Sequence, residues 1–567
     1  MEDLSLETLE RIASAHIVNG APPEDATNGY RNIGDLLLQQ TERFEVKPFL
    51  VFYGEGAQRR ELSYREFYEE TCRTAMFLSS IGVKRGDRIA TISFNHSDVV
   101  LQYFASWLLG ASVVPLNPGE DDRHLAYILQ HSGATVLLVR DIYLERMEHI
   151  LQGTPEVRRV ILVGSKASSK YAHLETEVLR HPSAIRSIPP VSITDEALVI
   201  YTSGTTGNPK GVILSHRNLL ADAQAIAEWH QVSESETMMC VLPLHHVNGI
   251  VVTVITPLYG GSTIVLNQKF HPDRFFERIS AERVAIVSVV PTILQFLLHA
   301  KLDMAAYKMA SFRHLICGAG PLTVELAAKF EHTFKIPIIH GYGLSETTCY
   351  SCFLPIDLDP ATHRAWMMKH GFPSIGLPLP INEMAIFDGE GNALDEGQRG
   401  EIVIRGHNVM ERYLKNPEVN DETFRDGWFR SGDEGFFLYD EEGRKFFFIT
   451  GRIKELIIRG GVNISPFEID EVLMRVPGIS AAIAVGFDND WYGEEVGAMV
   501  IPKSDAQVSI EQILAFCRKH LPFTKAPKVV VFAQELPVTS TGKYQRSRCK
   551  EQFAQWKSVQ FVEPLPS

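Results

Sequence analysis

Positive charge is in deficit in this sequence: 55 lysines and arginines stand against 69 aspartates and glutamates, a formal net charge of −14 over 567 residues. That balance argues against a diffuse electrostatic grip on nucleic acid or anionic lipid, which grows with the number of phosphates neutralised, and leaves room for a local anion site. Cysteine is scarce too. Cys72, Cys240, Cys317, Cys349, Cys352, Cys517 and Cys549 are odd in number and scattered, so they read as reduced thiols rather than a disulfide framework. Cys349 and Cys352 make a lone CxxC without two further ligands for zinc. The adjacent His245 and His246, taken as an extended segment, should point to opposite faces and not share a metal. Long apolar runs are also missing: Val99 to Leu116 is broken by Gln102, Ser106 and Gly110 and meets Pro115, the pattern of a buried helix followed by a strand rather than a membrane span. The acidic start Met1-Glu2-Asp3 has neither the basic residues nor the apolar stretch of a secretory signal, so a cytoplasmic protein is expected.

What is present is ordinary globular composition, 45% hydrophobic and 22% charged, in a chain too long for one core, so two or more domains are expected. Helical and strand periodicities alternate. Ser63 with Glu66 reads as a capping box opening a helix, Arg88 to Ser93 as a strand, and about Asp98 to Leu109 as a second helix. Val113-Val114, Thr135 to Val139, Val160 to Val163 and Ala197 to Tyr201 add β-rich runs, giving a layered α/β fold. The Ser-, Lys-, His- and Pro-rich stretch from Gly164 to Asp195 reads as a surface excursion. After a glycine- and aromatic-rich hairpin (Asp426 to Phe448), a new unit begins near Gly451, with a helix over Glu468 to Met474. The expected division is residues 1–452, a large domain of layered sheets and helices, and 453–567, a small mixed α/β domain.

The strongest local signal is Tyr201-Thr-Ser-Gly-Thr-Thr-Gly-Asn-Pro-Lys-Gly211, a strand running into a loop of glycines and hydroxyls that ends in a lysine. Thr202, Ser203, Gly204, Thr205, Thr206, Gly207 and Lys210 suit phosphate: glycines let backbone N–H groups approach an anion, hydroxyls add donors, and lysine brings a mobile charge. It is not a Walker A loop, because Asn208 and Pro209 separate Gly207 from Lys210. Gly343-Leu-Ser-Glu-Thr347 lacks the last glycine of a hydrolase GxSxG elbow.

The loop resembles that of the adenylate-forming superfamily, which includes acyl-CoA synthetases, aryl-CoA ligases, luciferases and peptide-synthetase adenylation domains. Further matches follow in the family's order from about residue 33 to residue 548. Leu242 to Ile250 is similar to the segment whose histidine borders the acyl carboxylate, which implies His246 in that place, with Asn248 on the acyl side. Cys317-Gly-Ala-Gly-Pro321 resembles the wall against adenine and implies Gly318, Ala319 and Gly320 there, Gly318 and Gly341 also leaving room for the acyl group. Gly341-Tyr-Gly-Leu-Ser-Glu-Thr-Thr348 resembles the segment in which an aromatic ring stacks on adenine, a hydroxyl meets the α-phosphate and a glutamate holds magnesium, implying Tyr342, Gly343, Ser345 and Glu346. Asp426 to Asp433 places Asp433 on the ribose hydroxyls, and Gly451 to Gly461 implies Arg452 at the ribose, Lys454 as a hinge and Gly460 and Gly461 lining a tunnel for coenzyme A. Leu536 to Arg546 resembles the terminal loop that carries a catalytic lysine, here Lys543. Glu411-Arg412-Tyr413 departs from the family's glycine before tyrosine, so local packing should differ there.

The resemblance implies an ATP- and Mg2+-dependent enzyme that activates a carboxylic acid as acyl-AMP and passes the acyl group to a thiol. No acidic residue lies between Met239 and Leu258 to pair with a substrate ammonium, so an acid without an α-amino group is expected: fatty, aryl or alicyclic. Ile457 to Ile464 resembles acyl-CoA ligases, which favours coenzyme A as acceptor, with the phosphopantetheine arm of a carrier protein as the alternative. A luciferase-like oxygenase would form the same adenylate and reveal itself by light or oxygen uptake. A dead nucleotide-binding protein is disfavoured because Lys543 and Glu346 are both present. Lys543→Ala should slow acyl-AMP formation by on the order of 10²-fold, the usual loss on removing one preorganised donor, and thioester formation from supplied acyl-AMP much less. Equal losses in the two half-reactions, measured separately, would end that division of labour.

Overall fold

A computed structural model describes residues 4–25, 29–55, 58–165, 168–184, 190–202, 208–300, 302–503, 506–538 and 544–562. Ser63 caps the helix Tyr64–Ser80 reciprocally: its Oγ accepts from the Glu66 amide at 3.2 Å while Glu66 accepts from the Ser63 amide at 2.8 Å. The apolar run after His96 becomes the helix Ser97–Leu108, buried at every position from Val99 onward, and then the fully buried strand Ser112–Leu116. A helix apolar on all sides must lie inside, and this one sits in the main core with Trp107 donating to the Ala197 carbonyl at 2.7 Å. No helix among the described residues is long and apolar enough to cross a membrane.

Two large, mainly parallel sheets organise the first 380 or so residues. One has nine strands, with Ile338–Tyr342, His314–Cys317, Ile286–Val289, Thr237–Cys240, Thr263–Asn267 and Pro48–Tyr53 running parallel side by side. The other has eight, and includes Ser112–Leu116, Arg88–Ile92, Val136–Arg140 and Arg159–Val163 in parallel. The excursion after Gly164 is not wholly irregular, because Ala172–His173 adds a short strand to the edge of this sheet. Glu196–Thr202 pairs antiparallel with Lys210–Ser215, which brings Thr202 opposite Lys210 at the loop end of that pair.

A four-stranded antiparallel sheet follows, from Asn382–Phe387 to Lys445–Arg452. Its last strand ends at Arg452, and after the single turn Ile453–Glu455 the strand Ile457–Arg459 already belongs to a separate sheet with Gly493–Pro502, Ile479–Asn489 and Val529–Phe532. The chain therefore changes sheets around Lys454, which is exposed. Gly460 and Gly461 form the two-residue loop of a tight hairpin in which Arg459 faces Val462, and their φ values of +57° and +83° are the left-handed pair that such a turn requires. A Cβ at Gly461 would meet nothing within 4 Å, so a side chain there strains the backbone without clashing.

The small domain leans on the large one through Glu471, on the helix Pro466–Met474. Its carboxylate accepts at 2.6 Å from the amide of Val324, the first residue of the helix Val324–Phe334, where an unpaired donor and the helix dipole both favour an anion. Burial nevertheless pushes Glu471 up to about 7, against the pull of Val324 and Arg475 and with help from Asp470 and Glu325.

Two expectations follow from these contacts. Gly461→Leu should cost about 1–2 kcal/mol, the penalty of a left-handed residue with a Cβ, whereas Gly461→Asn should be nearly neutral; equal melting curves for the two would mean the turn can relax. Because the docked Glu471 carboxyl holds a proton that an undocked one releases, docking is strongest below the ordinary carboxylate value, weakens as pH rises toward about 7, and levels off above it. Energy transfer between dyes on the two domains should show that decline between about pH 5 and pH 8, and Glu471→Gln should reduce it; an unaltered pH response in the variant would assign the effect elsewhere.

Candidate active site

Ile286–Val289, His314–Cys317 and Ile338–Tyr342 end side by side, and the loops beyond them open into a cavity, the usual place for a ligand in a parallel sheet. Val290, Ala319, Gly320, Gly341, Tyr342 and Gly343 supply this wall. Ala319 holds φ at +60°, an uncommon state for a residue with a Cβ and of the kind that clusters at binding sites. Gly343 is required by close approach of the chain, since a Cβ there would stand 2.1 Å from the Cys349 carbonyl oxygen. The opposite wall comes from Asp433 and Arg452 and, across the domain boundary, from Phe467, Tyr544 and Arg546.

Asp433 and Arg452 face each other in register on neighbouring antiparallel strands, which is why two residues far apart in sequence meet. The Asp433 carboxylate, 2% exposed, accepts from the Tyr342 hydroxyl at 2.7 Å. Arg452 Nε lies 3.0 Å from its other oxygen, Oδ1, yet that buried oxygen accepts no well-angled hydrogen bond from any described residue. Burial and the neighbouring carboxylate push the Tyr342 phenol far up, so it stays a donor, and the same carboxylate holds the Arg452 guanidinium charged.

A second cluster gathers Lys210, Glu346, Lys454 and a residue that sequence reasoning did not select, Tyr413. The Tyr413 hydroxyl donates to Glu346 Oε1 at 2.7 Å, and Lys210 Nζ lies over the Tyr413 ring at 4.9 Å. The strand that carries Tyr413 pairs with the one that carries Lys210, so the Glu-Arg-Tyr departure from the family's spacing lies directly beneath this corner. Burial depresses Lys210 below an ordinary lysine and Lys454 adds to that, while Glu346 and Glu422 oppose it. Ser345 begins the short turn Ser345–Thr347 beside Glu346. Among the described residues there is no group of three or more His, Cys, Asp or Glu that could hold a metal, so a cation here would rely on one carboxylate.

Of the acyl-side residues, Gly341 lines this cavity, whereas His246, Asn248 and Gly318 fall outside its lining. His245 and His246 do not diverge as an extended segment would make them: the chain turns there into the π-helix Asn248–Ile255, and the two rings sit 4.5 Å apart. Burial holds His245 well below an ordinary histidine, hence neutral. The expectation that Gly318 and Gly341 leave room for an acyl group is corrected. A Cβ at Gly318 would stand 2.6 Å from the Tyr350 hydroxyl, and one at Gly341 would stand 2.3 Å from the Phe353 ring. The missing side chains accommodate this protein's own rings. Asn248 Nδ2 donates to the same Tyr350 hydroxyl at 3.2 Å.

Ser203, Gly204, Thr205, Thr206, Gly207 and Lys543 lie outside the described residues. Tyr544, next to Lys543, bridges to Val538 and lines the cavity, and the buried Arg546 binds Asp470 at 2.5 Å and the Ala484 carbonyl at 2.8 Å. Gly460 and Gly461 stand on their hairpin outside the cavity lining. All seven cysteines are buried and unlinked, and burial raises the Cys349 and Cys352 thiols.

The sequence pattern of the AMP-binding enzymes matches residues 37–414, and that of the AMP-binding enzyme C-terminal domain matches residues 468–543. The chain is 30% identical over 551 residues to a long-chain-fatty-acid–CoA ligase of Bacillus subtilis, covering 92% of this chain and 94% of that protein. It is 31% identical over 518 residues to a sulfoacetate–CoA ligase of Cupriavidus necator, covering 91% and 97%. Among solved structures, ATP-bound MatB from Rhodopseudomonas palustris is similar with a TM-score of 0.81 at 25% identity, over 92% of this chain and 99% of that one. With both domains matched in order and the cavity lying between them, the chain belongs to the AMP-binding enzymes, the adenylate-forming superfamily.

Proposed function

We propose that this enzyme joins a carboxylic acid to coenzyme A at the expense of ATP, through an acyl-AMP, with AMP and pyrophosphate as the other products. The observation that carries the nucleotide half is Asp433 Oδ1, a buried carboxylate oxygen beside Tyr342 and Arg452 with an acceptor site unused. A carboxylate accepts two hydrogen bonds readily, so a ribose hydroxyl satisfies it. Tyr342 and the Gly318-Ala319-Gly320 loop then offer two flat surfaces for a purine, with Gly343 and Ser345 next to them.

An acid is a poor acyl donor at neutral pH because its leaving group would be oxide; attack of its oxygen on the α-phosphorus of ATP replaces that with a phosphate leaving group. His246 and Asn248 border the carboxylate in this reading. Negative charge grows on the phosphate oxygens during the step, and Lys210, with Thr202 and the hydroxyls and amides that Ser203, Gly204, Thr205, Thr206 and Gly207 carry, answers it with hydrogen-bond donors. The depressed Lys210, crowded by Lys454, gains most from an incoming polyanion. Glu346 fits Mg2+, because that ion needs only one or two carboxylates when phosphates and waters complete its shell; when bound, it neutralises charge on the phosphates. Lys543 is the second positive group, and the placement of Tyr544 on the cavity wall supports it.

In the second step a thiolate attacks the acyl carbon and AMP leaves. Rotation about Lys454 would withdraw Lys543 and bring the Gly460–Gly461 hairpin to the acid. Coenzyme A is the acceptor favoured by relatives named as CoA ligases; a carrier protein's phosphopantetheine ends in the same thiol. A cytoplasmic site of action suits seven unlinked thiols. With an accepted acid, chromatography should show AMP and pyrophosphate, and acyl-CoA when coenzyme A is added; ADP and phosphate would sink the proposal.

A further inference from the structure

Three of the four residues on the acyl side, Asn248, Gly318 and Gly341, border one side chain that no sequence signal marked: Tyr350. It is 2% exposed, its ring lies 4.4 Å from that of Phe353, and its hydroxyl accepts from Asn248. The backbone beneath it is pinned on both sides. The Tyr350 amide donates to Asp222 at 3.5 Å and its carbonyl accepts from Asn408 at 2.7 Å, while Asn408 also donates to Asp222 at 2.9 Å. Burial pushes the Asp222 carboxyl well up, against the pull of its hydrogen bonds from Asn408 and the Tyr350 amide. The ring is thus braced directly behind Gly341, which lines the cavity: a Cβ at Gly341 would stand 2.9 Å from it.

Beside that ring one polar atom is left over: Asn248 Oδ1 is buried with no hydrogen-bond partner among the described residues. Leaving such an atom dry is costly, so it favours a ligand that brings a hydrogen-bonding group to this depth.

Resting on the acid-activating reading above, we propose that Tyr350 is the specificity-determining residue for the acid: it closes the acyl end, so that this enzyme takes compact acids, short-chain or small-ring, with preference for one whose far end carries a hydroxyl. A long alkyl tail has nothing to offer Asn248 and requires the braced ring to move.

Pyrophosphate release by the full-length enzyme, measured with acetate, butanoate, hydroxybutanoate, benzoate, octanoate and hexadecanoate, tests this. The wild type should prefer butanoate over hexadecanoate by at least about tenfold in kcat/KM, in the range that pocket size commonly discriminates, and should prefer hydroxybutanoate over butanoate. Tyr350→Ala should move the optimum to octanoate or beyond, and Tyr350→Phe, which keeps the ring, should hold the length limit. Equal use of butanoate and hexadecanoate by the wild type overturns the proposal whatever the variants do. So does an unchanged length profile in a Tyr350→Ala protein that melts like wild type. Absence of pyrophosphate with every acid, despite ATP binding, is a different result: it removes the ligase reading on which the assignment rests.

Discussion

A carboxylate removed from water must be surrounded by donors, and Asp433 is the place where this chain meets that demand with groups drawn from separate bodies. Tyr342 comes from the end of the nine-stranded sheet, Asp433 from the middle of the four-stranded sheet, and Arg452 from the last residue before the chain crosses to the small domain. Removing one partner of a buried charge typically costs about 3–5 kcal/mol, because the remaining charge is stranded. The arrangement therefore fixes how three units meet, and it leaves Oδ1 available for a ligand. Part of the cavity is a consequence: Tyr342, tied to Asp433, lines it together with Ala319 and Gly320.

The phosphate corner follows different physics. Burial and the nearby Lys454 disfavour the charge on Lys210, and Glu346 with Glu422 offsets only part of that. Such a site is less comfortable empty than filled, since a polyanion relieves the repulsion and replaces lost hydration. Fixed donors of this kind act because they need no reorganisation when charge develops.

Local order was easily read from the sequence. The capping box at Ser63, the buried helix and strand between Val99 and Leu116, and the long hairpin after Asp426 depend on neighbours within a few positions, where periodicity and turn chemistry speak directly. Site positions could be proposed where a spaced pattern carried them, as with Asp433 and Glu346. Tyr350 sent no signal, and Tyr413 stood out only for the residue before it, because their importance comes from partners about a hundred and about seventy positions away, Asn248 and Glu346. The glycines misled for a related reason. A missing Cβ at Gly318 or Gly341 announces that something comes close and not what, and here it is a ring of the same chain. At His245 and His246 the error was one of period: a turn entering a π-helix does not alternate faces.

Only one residue separates Arg452, which touches Asp433, from Lys454, around which the chain changes sheets. Occupancy of the nucleotide cavity and orientation of the small domain are therefore not independent variables. A ligand that competes with Arg452 for Asp433 acts on the root of the linker, and by thermodynamic reciprocity any bias in domain orientation alters the affinity for that ligand by the same factor. The strand end that meets the carboxylate is also where the linker to the small domain begins.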